Sequence, residues 1–472
     1  MTNALPHPCT PVPVIAAAPQ GARGTLIAAT VASSLAFVLG SIVNVALPQM
    51  QADFGTGPSG AQWIVNAYLL PLGALVLMGG ALGDHFGRKR VFQAGLVVFA
   101  ASCLLAAVAW SFPILLFARV LEGLGAAMIA PTSLAILAEA FSGSDRGRAV
   151  GTWAGAGAAA GAVAPVAGGW IVDIAGWRWA FIAVLPFAAL AYVIARRSIR
   201  ESVADVNARA PLDWLGATLV SGGLLAAVWG LIALPDTGTS GTTIPALILG
   251  AALLTGFVVV EGRKGDAAMI PVVLFRDAGF SGLTLFTFFL YAALGGLMFL
   301  LPYTLISGLG YAASAAGLAI LPMPLIIGAM SRFSGGALVD RFGTRNLLAG
   351  GAALVTVGFL LLAQLPADAT YLPDILPGLL SLSVGMALAV APLTSAVLSS
   401  AGAARSGTAS GVNNAVSRIG GLVATALLGL VLSGDLLAGF AVAAWAGAAL
   451  AGLSVAVALR LPDGGNEKPP DT

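Results

Sequence analysis

Charged side chains are scarce in this chain of 472 residues. Asp, Glu, Lys and Arg together make up only 9% of it, whereas hydrophobic residues make up 58% and the mean hydropathy is +0.96. A soluble globular protein carries roughly a quarter charged residues, so this composition excludes that class and indicates a polytopic membrane protein. The net charge of +2 is small, and we expect no nucleic-acid partner.

Cysteine and histidine are also scarce, with two residues of each. Cys9 lies in the N-terminal tail and Cys103 in an apolar run, so no disulfide framework is available. His7 and His85 lie in a tail and a loop, so the sequence has no cluster with metal-ligand spacing, and it has no Walker-type phosphate loop. We therefore expect no metal and no cofactor, which argues against ATP-driven pumping and zinc chemistry.

What the chain has in abundance is long apolar runs. A helix needs about 20 apolar residues to cross a bilayer core of roughly 30 Å, and we count fourteen such segments, the first at 25–47 and the tenth at 314–338. Most of the 22 Lys and Arg residues fall in alternate loops, and the opposite loops carry acids instead. Positive charge is retained in cytoplasmic loops, so the pattern predicts a cell-membrane protein with both termini in the cytoplasm.

One polar loop occurs twice. Residues 79–90 (GGALGDHFGRKR) and 335–346 (GGALVDRFGTRN) share seven of twelve positions at an offset of 256 residues, and such self-similarity indicates a duplicated architecture. The copies join helices two and three and helices ten and eleven. Equivalent positions are thus eight helices apart rather than six, so two helices, at about 213–261, are inserted between the halves.

The predicted fold is therefore all-α, with two six-helix bundles and two inserted helices. We predict the following organisation: a disordered cytoplasmic tail at 1–22, an N-terminal six-helix bundle at 23–200, a linker with two extra transmembrane helices at 201–275, a C-terminal six-helix bundle at 276–462 and a cytoplasmic tail at 463–472.

These features resemble the major facilitator superfamily, specifically its fourteen-helix drug:proton antiporter branch, over nearly the whole chain. The repeated loop is similar to the superfamily's signature between helices two and three, which by family analogy latches one half against the other when the cavity opens outward. An ordinary basic turn is the alternative, and the presence of two copies disfavours it. The resemblance implies a gating role for Gly83, Asp84, Gly87, Arg88, Asp340, Gly343 and Arg345.

Helix five carries a run of small residues. Gly157, Gly161, Pro165 and Gly169 recur at i, i+4 spacing, with Gly168 beside them, which places a smooth seam on one helix face. The run is similar to the family's antiporter motif, which marks exporters, although Ala164 stands where that motif has Gly. A packing seam is the other interpretation, and the two are compatible because packing and rocking use the same surface.

The first helix matches the branch in part. Residues 41–48 (SIVNVALP) resemble its first-helix signature, and Asn44 within them is a candidate for the substrate cavity. The family typically places an Asp just before this run, where Leu39 or Gly40 stands here. That acid is credited in the family with proton coupling or cation recognition.

Helix four offers a possible substitute for the missing acid. Residues 116–125 (LFARVLEGLG) resemble the family's fourth-helix motif, and Arg119 and Glu122 lie three residues apart on one helical face, near mid-membrane. An ionisable residue at that depth is costly unless it faces a cavity or a partner. Glu122 is therefore a candidate proton-titrating group, with Arg119 competing for it, and a static ion pair between them is the equal alternative.

Helix thirteen holds the matching polar cluster of the second half, Asn413, Asn414 and Arg418. Three roles are open for Arg418: holding an anionic or polar headgroup, pairing with Glu122 across the cavity, or hydrogen-bonding neighbouring helices. With two deep arginines against one deep glutamate, we expect neutral, anionic or lipid-like cargo rather than dications.

The function implied by the resemblance is a secondary active transporter that exports small lipophilic compounds by alternating access in exchange for protons. A lipid transporter or flippase of the same fold is the alternative. An enzyme would need clustered nucleophiles or paired acids at one depth, which the sequence lacks. The expected partners are a small-molecule substrate, protons and the lipid bilayer, and we expect a monomer.

Overall fold

The structure, a computed structural model, describes residues 21–203, 212–239, 241–265, 268–334, 336–432 and 434–462. The predicted tails therefore lie outside the described residues, except for Gly21 and Ala22, and so does part of the predicted linker, at 204–211.

Helices account for nearly all of the described chain, and none of the described residues forms a strand. Within the described ranges, fourteen helical segments are long and apolar enough to cross a membrane, which confirms the predicted number. In chain order the helices are α1 (Ala22–Phe54), α2 (Pro58–Phe86), α3 (Arg88–Ala107), α4 (Phe112–Ala140), α5 (Gly143–Ala175), α6 (Trp177–Ser198), α7 (Trp214–Thr237), α8 (Thr243–Lys264), α9 (Ala278–Ser307), α10 (Ala313–Ile320), α11 (Pro322–Ser334), α12 (Ala337–Phe342), α13 (Thr344–Leu362), α14 (Leu376–Ser400), α15 (Gly402–Leu427), α16 (Gly429–Leu432) and α17 (Leu436–Leu459).

The first helix is longer than the sequence predicted. It contains 33 residues, so at 1.5 Å per residue it is about 50 Å long. Its last two turns are polar: Gln49 accepts a hydrogen bond from the Trp177 backbone N–H at 2.8 Å, and Asp53 accepts one from the Trp177 indole at 2.7 Å. An apolar stretch marks only the part inside hydrocarbon, which is why the prediction stopped at residue 47.

The tenth span is divided, whereas the sequence predicted one helix at 314–338. It consists of α10 and α11, which meet at Leu321, followed by the short α12. Pro322 and Pro324 lie within one turn of that junction, and each lacks the N–H that would bond to the preceding turn. The interruption lies beside the cavity described below.

The helices form two six-helix bundles with two inserted helices, as predicted. In the first bundle α2 packs on α4 and α1 packs on α5 and α6; in the second, α13 packs on α14 and α9 packs on α15 and α17. The inserted helices α7 and α8 pack on each other, and α7 also contacts α2 and α15. The two bundles meet mainly through α5 with α10 and α2 with α15.

The two ends of the molecule differ in charge. We call the end that carries Arg88, Arg196 and Lys264 the basic end, and the end that carries Asp53, Asp173 and Asp435 the acidic end. Both sets lie where helices begin or end.

Candidate functional site

A cavity with two connected lobes lies between the halves. The apolar lobe, of about 470 Å³, is lined by α1, α5, α9 and the α10–α11 region, including Trp153, Met323 and Ile327. The polar lobe, of about 490 Å³, includes Tyr68 and Arg119 from the first half and Arg418 from the second. Both lobes share the lining residues Phe37, Ser41, Asn44, Leu294 and Met298. One amphiphilic molecule can therefore contact both lobes at once.

Arg119 and Glu122 form a buried ion pair on α4. Their side chains are 1% and 0% exposed, and Arg119 Nη1 donates to both carboxylate oxygens at 2.7 Å. Arg119 Nε also donates to the Ile64 carbonyl at 3.0 Å, and the guanidinium lies 4.7 Å from the centre of the Tyr68 ring. Arg119 lines the polar lobe, whereas Glu122 does not, so Glu122 lies behind Arg119 as seen from the cavity.

Arg418 lies across the same lobe and has no such partner. Among the described residues its side chain makes no hydrogen bond or ion pair, and its contact is with the Phe37 ring, whose centre is 5.4 Å from the guanidinium carbon. It is half-buried in the cavity wall. Two of the three roles open for Arg418 are not seen in this state. Glu122 is paired with Arg119 rather than with Arg418, and Arg418 makes no hydrogen bond to a described residue of a neighbouring helix.

The predicted cavity asparagines also line the polar lobe. Asn44 lies where the two lobes join, and Asn413 and Asn414 lie one turn before Arg418 on α15. Asn413 Oδ1 accepts a hydrogen bond from Thr287 Oγ1 at 2.6 Å, whereas Asn414 is exposed and its amide is available to a ligand.

The small-residue run of α5 has two parts with different surroundings. Gly157, Gly161 and Pro165 line the apolar lobe. Nearer the acidic end, Gly168 approaches Ile42 of α1, and Gly169 approaches the start of α10, where a Cβ would lie 2.4 Å from the Ala313 carbonyl oxygen. A larger residue at position 169 would push the halves apart, so this glycine permits the close contact between them.

Hydrogen bonds close the acidic end of the cavity. Asp173 at the end of α5 accepts bonds from the backbone N–H groups of Ala313 and Ser314, at 3.0 and 2.9 Å, where α10 begins. Gln62 on α2 donates to the Thr425 and Ala426 carbonyls of α15 at 2.6 and 3.0 Å. These contacts join the two halves. Sequence reasoning gave neither residue a role between the halves, because a single sequence does not show which polar groups of different helices meet.

The first copy of the repeated loop is tied to its own half. Arg88 contacts Asp84 and Glu139, each at 3.0 Å. Glu201, just after α6, accepts a bond from the Lys89 backbone N–H at 3.1 Å and lies 3.5 Å from Arg90. The glycines fit this packing: Gly83 lies against Thr132 of α4, and Gly87 has a φ of 104°, which favours glycine.

The second copy lies at the same end of the molecule. Gly343 has a φ of 77° and, like Gly87, begins the following helix. Asp340 is exposed in α12, and Arg345 lies in the first turn of α13. Gly335, the first residue of this copy, lies outside the described residues. The described contacts of Asp84 and Arg88 are all with the first half.

A buried polar cluster at the inserted helices was not predicted. Asp213, which caps α7, and Glu261, near the end of α8, are 5% and 1% exposed, and Lys264 contacts both. Burial alone would raise the pKa of Asp213, but the contact with the Lys264 ammonium and the hydrogen bond from the Gly216 N–H stabilise the carboxylate and lower its pKa. Asp213 therefore stays ionised. Sequence reasoning placed Glu261 at a helix end, where an acid is ordinarily solvated.

The family model described as Major Facilitator Superfamily matches residues 29–425. The chain is 32% identical over 428 residues to the puromycin resistance protein pur8 of Streptomyces alboniger, covering 89% of this chain and 84% of that protein. It is also 32% identical over 411 residues to the multidrug resistance protein Stp of Mycobacterium tuberculosis, covering 87% and 75%.

The fold was compared with solved structures. An auto-inhibited peptide transporter of the POT family superposes with a TM-score of 0.69 at 16% identity, covering 94% of this chain and 98% of that one. This likeness shows the fold. The family and fold are those of transporters rather than enzymes. The resemblance predicted from the sequence is thus confirmed: the chain belongs to the Major Facilitator Superfamily, and its fourteen candidate membrane helices fit the fourteen-helix branch.

Proposed function

We propose that this protein is a monomeric secondary active transporter that exports small lipophilic compounds by alternating access, in exchange for protons. The observation that carries the proposal is the cavity between the halves, in which an apolar lobe joins a polar lobe. A lipophilic compound gains about 25 cal/mol for each Å² of apolar surface that it buries, and the polar lobe offers it hydrogen-bonding groups.

The names of two relatives support a drug as the cargo, since one is a puromycin resistance protein and the other a multidrug resistance protein. The sequence relationship covers most of both chains, and the family match at residues 29–425 includes the segments that line the cavity.

We further propose that the basic end faces the cytoplasm of a cell membrane, because positive charge is retained on that side. In the present state the halves are joined at the acidic end. The lining residues Ala154 and Ala158 lie toward the basic end of α5 and are exposed. This state would take up cargo from the inside. Release then requires the contacts of Asp173 and Gln62 to break while the basic end closes.

For proton coupling we propose Glu122 as the titrating group. Protonation of Glu122 would release Arg119 from its ion pair and leave a guanidinium at the wall of the polar lobe. The alternative is a static pair that holds α4 against α2 through the Ile64 and Tyr68 contacts. The two roles make opposite predictions for a glutamine at this position, because glutamine resembles the protonated acid and cannot titrate.

The test is uptake of lipophilic fluorescent dyes, of cationic, neutral and anionic types, into inverted membrane vesicles with an imposed pH gradient. The wild type should accumulate dye, and a protonophore should abolish accumulation. Glu122→Gln should lose gradient-driven accumulation but keep dye exchange without a gradient. Asp145→Asn, which removes an exposed acid paired with Arg148, is the matched control and should behave as wild type. Unchanged coupling in Glu122→Gln would exclude the titrating role.

A second candidate is a lipid transporter of the same fold. It is favoured by an apolar groove of about 540 Å³ between α2, α4 and α7, lined among others by Leu70, Leu124 and Trp214. Such a groove at the bilayer face suits an acyl chain. The same vesicles loaded with a fluorescent phospholipid separate the candidates: lipid movement to the other leaflet without dye uptake would favour the lipid role.

A further inference from the structure

The cavity carries an uncompensated positive charge. The residues that line its two lobes include two arginines and no aspartate or glutamate. Arg119 is neutralised by Glu122, which lies behind it. Arg418 is the remaining lining charge, and no carboxylate among the described residues contacts it.

The two arginines also differ in how many of their N–H groups are already hydrogen-bonded. Arg119 uses Nη1 for Glu122 and Nε for the Ile64 carbonyl, and its face lies on the Tyr68 ring. Arg418 has five N–H donors, as every arginine does, and none of them bonds to a described residue. A guanidinium within a membrane protein ordinarily pairs with an acid or with backbone carbonyls, or faces a water-filled cavity, so the N–H donors of Arg418 that no described residue uses are available to a ligand in the lobe.

The surroundings of Arg418 suit an oxyanion. Asn414 and Ser410 line the same lobe and offer a further amide and a hydroxyl donor, whereas the Ser417 hydroxyl already donates to the Asn414 carbonyl at 2.8 Å. Guanidinium groups bind carboxylates and similar oxyanions by charge-assisted hydrogen bonds, often two at once. The Phe37 ring beside the guanidinium also belongs to the apolar lobe, so an apolar body attached to the anion has a continuous surface to follow.

We infer that the polar lobe is an oxyanion-binding subsite, in which Arg418 binds the carboxylate of an amphiphilic substrate whose lipophilic body occupies the apolar lobe. The inference rests on the proposed export function and specifies its substrate class. A carboxylate on a drug-like molecule and an anionic lipid headgroup share this chemistry.

Binding to the purified full-length protein in detergent tests the subsite without requiring transport. The probes are dansylaminoundecanoic acid and its methyl ester, which differ in the charge of one end, and the signal is energy transfer from tryptophan, since Trp153 lines the apolar lobe. The wild type should bind the acid more tightly than the ester. Arg418→Gln should weaken binding of the acid by roughly tenfold to a hundredfold and leave ester binding unchanged, which also shows that the variant is folded.

Two further variants sharpen the result. Arg418→Lys keeps the charge without the planar fork and should fall between wild type and Arg418→Gln. Arg263→Gln removes an exposed charge at the basic end and should bind both probes as wild type does. Equal binding of acid and ester by the wild type, or an equal loss of both in Arg418→Gln, would overturn the inference.

A lipid probe distinguishes the two possible sources of the anion, and a transport assay distinguishes failure of the export function from failure of the subsite. A dansyl-labelled phosphatidic acid replaces the carboxylate probe in a parallel titration, and tighter binding of that lipid, with the same dependence on Arg418, would assign the subsite to a lipid headgroup and overturn the drug-like carboxylate. If the acid binds as expected but neither probe enters inverted vesicles, the export function fails while the subsite stands.

Discussion

Arg119 and Arg418 line the same polar lobe from opposite halves of the molecule, and they are held in opposite ways. Arg119 is 1% exposed and has a carboxylate, a carbonyl and an aromatic ring around it. Arg418 is half-buried, its guanidinium lies beside the Phe37 ring, and none of its N–H groups bonds to a described residue. One half of this cavity therefore pairs its deep arginine with an acid of its own helix, whereas the other half leaves its arginine without such an acid among the described residues.

The largest expected effect of this difference is on stability. Removing one partner of a buried ion pair leaves an uncompensated charge and costs about 3–5 kcal/mol, so Glu122→Ala should lower the free energy of unfolding by about that amount. Arg418→Ala loses the cation–π contact with the Phe37 ring but breaks no ion pair with a described residue, and it should cost about 2 kcal/mol or less. Unfolding by SDS in mixed micelles, followed by circular dichroism, gives both values. Equal losses would mean that the two arginines are structurally equivalent.

A smaller effect is expected at Phe37. Phe37→Leu keeps an apolar side chain but removes the ring beside Arg418, and a cation–π contact is worth about 0.5–2 kcal/mol. The variant should therefore lose up to that amount of stability and should release the guanidinium from the lobe wall. The same unfolding assay checks this. Phe37→Tyr keeps an aromatic face and is the control; if it loses as much as leucine, the ring is not what holds Arg418.

The smallest effect is expected at Tyr68. Tyr68→Phe removes the hydroxyl that donates to the Ala36 carbonyl at 3.0 Å but leaves the ring beside Arg119. A typical net hydrogen bond contributes about 0.5–1.5 kcal/mol, so the loss should lie in that range and the Arg119–Glu122 pair should persist. Tyr68→Leu, which removes the ring as well, should lose more stability. A loss for Tyr68→Phe as large as that for Glu122→Ala would show that the hydroxyl, rather than Glu122, fixes Arg119.

The parts of this site that could be predicted are those set by local spacing. The i, i+3 separation of Arg119 and Glu122 places them on one helix face, and apolar length gave the number of spans. The isolation of Arg418 could not be predicted, because a missing partner depends on every element that packs around a position. The same holds for Asp213 and Glu261, which come from two helices and meet only when α7 packs on α8.

Helix boundaries failed for a related reason. The turns of α1 beyond residue 47 are polar, which is unusual for a membrane helix. The helix nevertheless continues through Gln49 and Asp53, because Trp177 donates hydrogen bonds to both side chains. The division of the tenth span follows from two prolines in one turn, although Pro48, Pro71 and Pro131 lie inside continuous helices. Whether a proline interrupts a helix is decided by neighbours that supply or withhold compensating contacts.

The hydrogen bonds between Asp173 and the start of α10 affect which residues can be replaced there during evolution. The Asp173 carboxylate accepts hydrogen bonds from two main-chain amides where α10 begins. Because every residue other than proline offers such an amide, half-buried position 314 can change identity without loss of this hydrogen bond, whereas Ala313 is buried and lies against Gly169. When the halves separate, water can replace both partners of these bonds. The contact therefore depends on the position of the α10 backbone more than on the side chain at position 314.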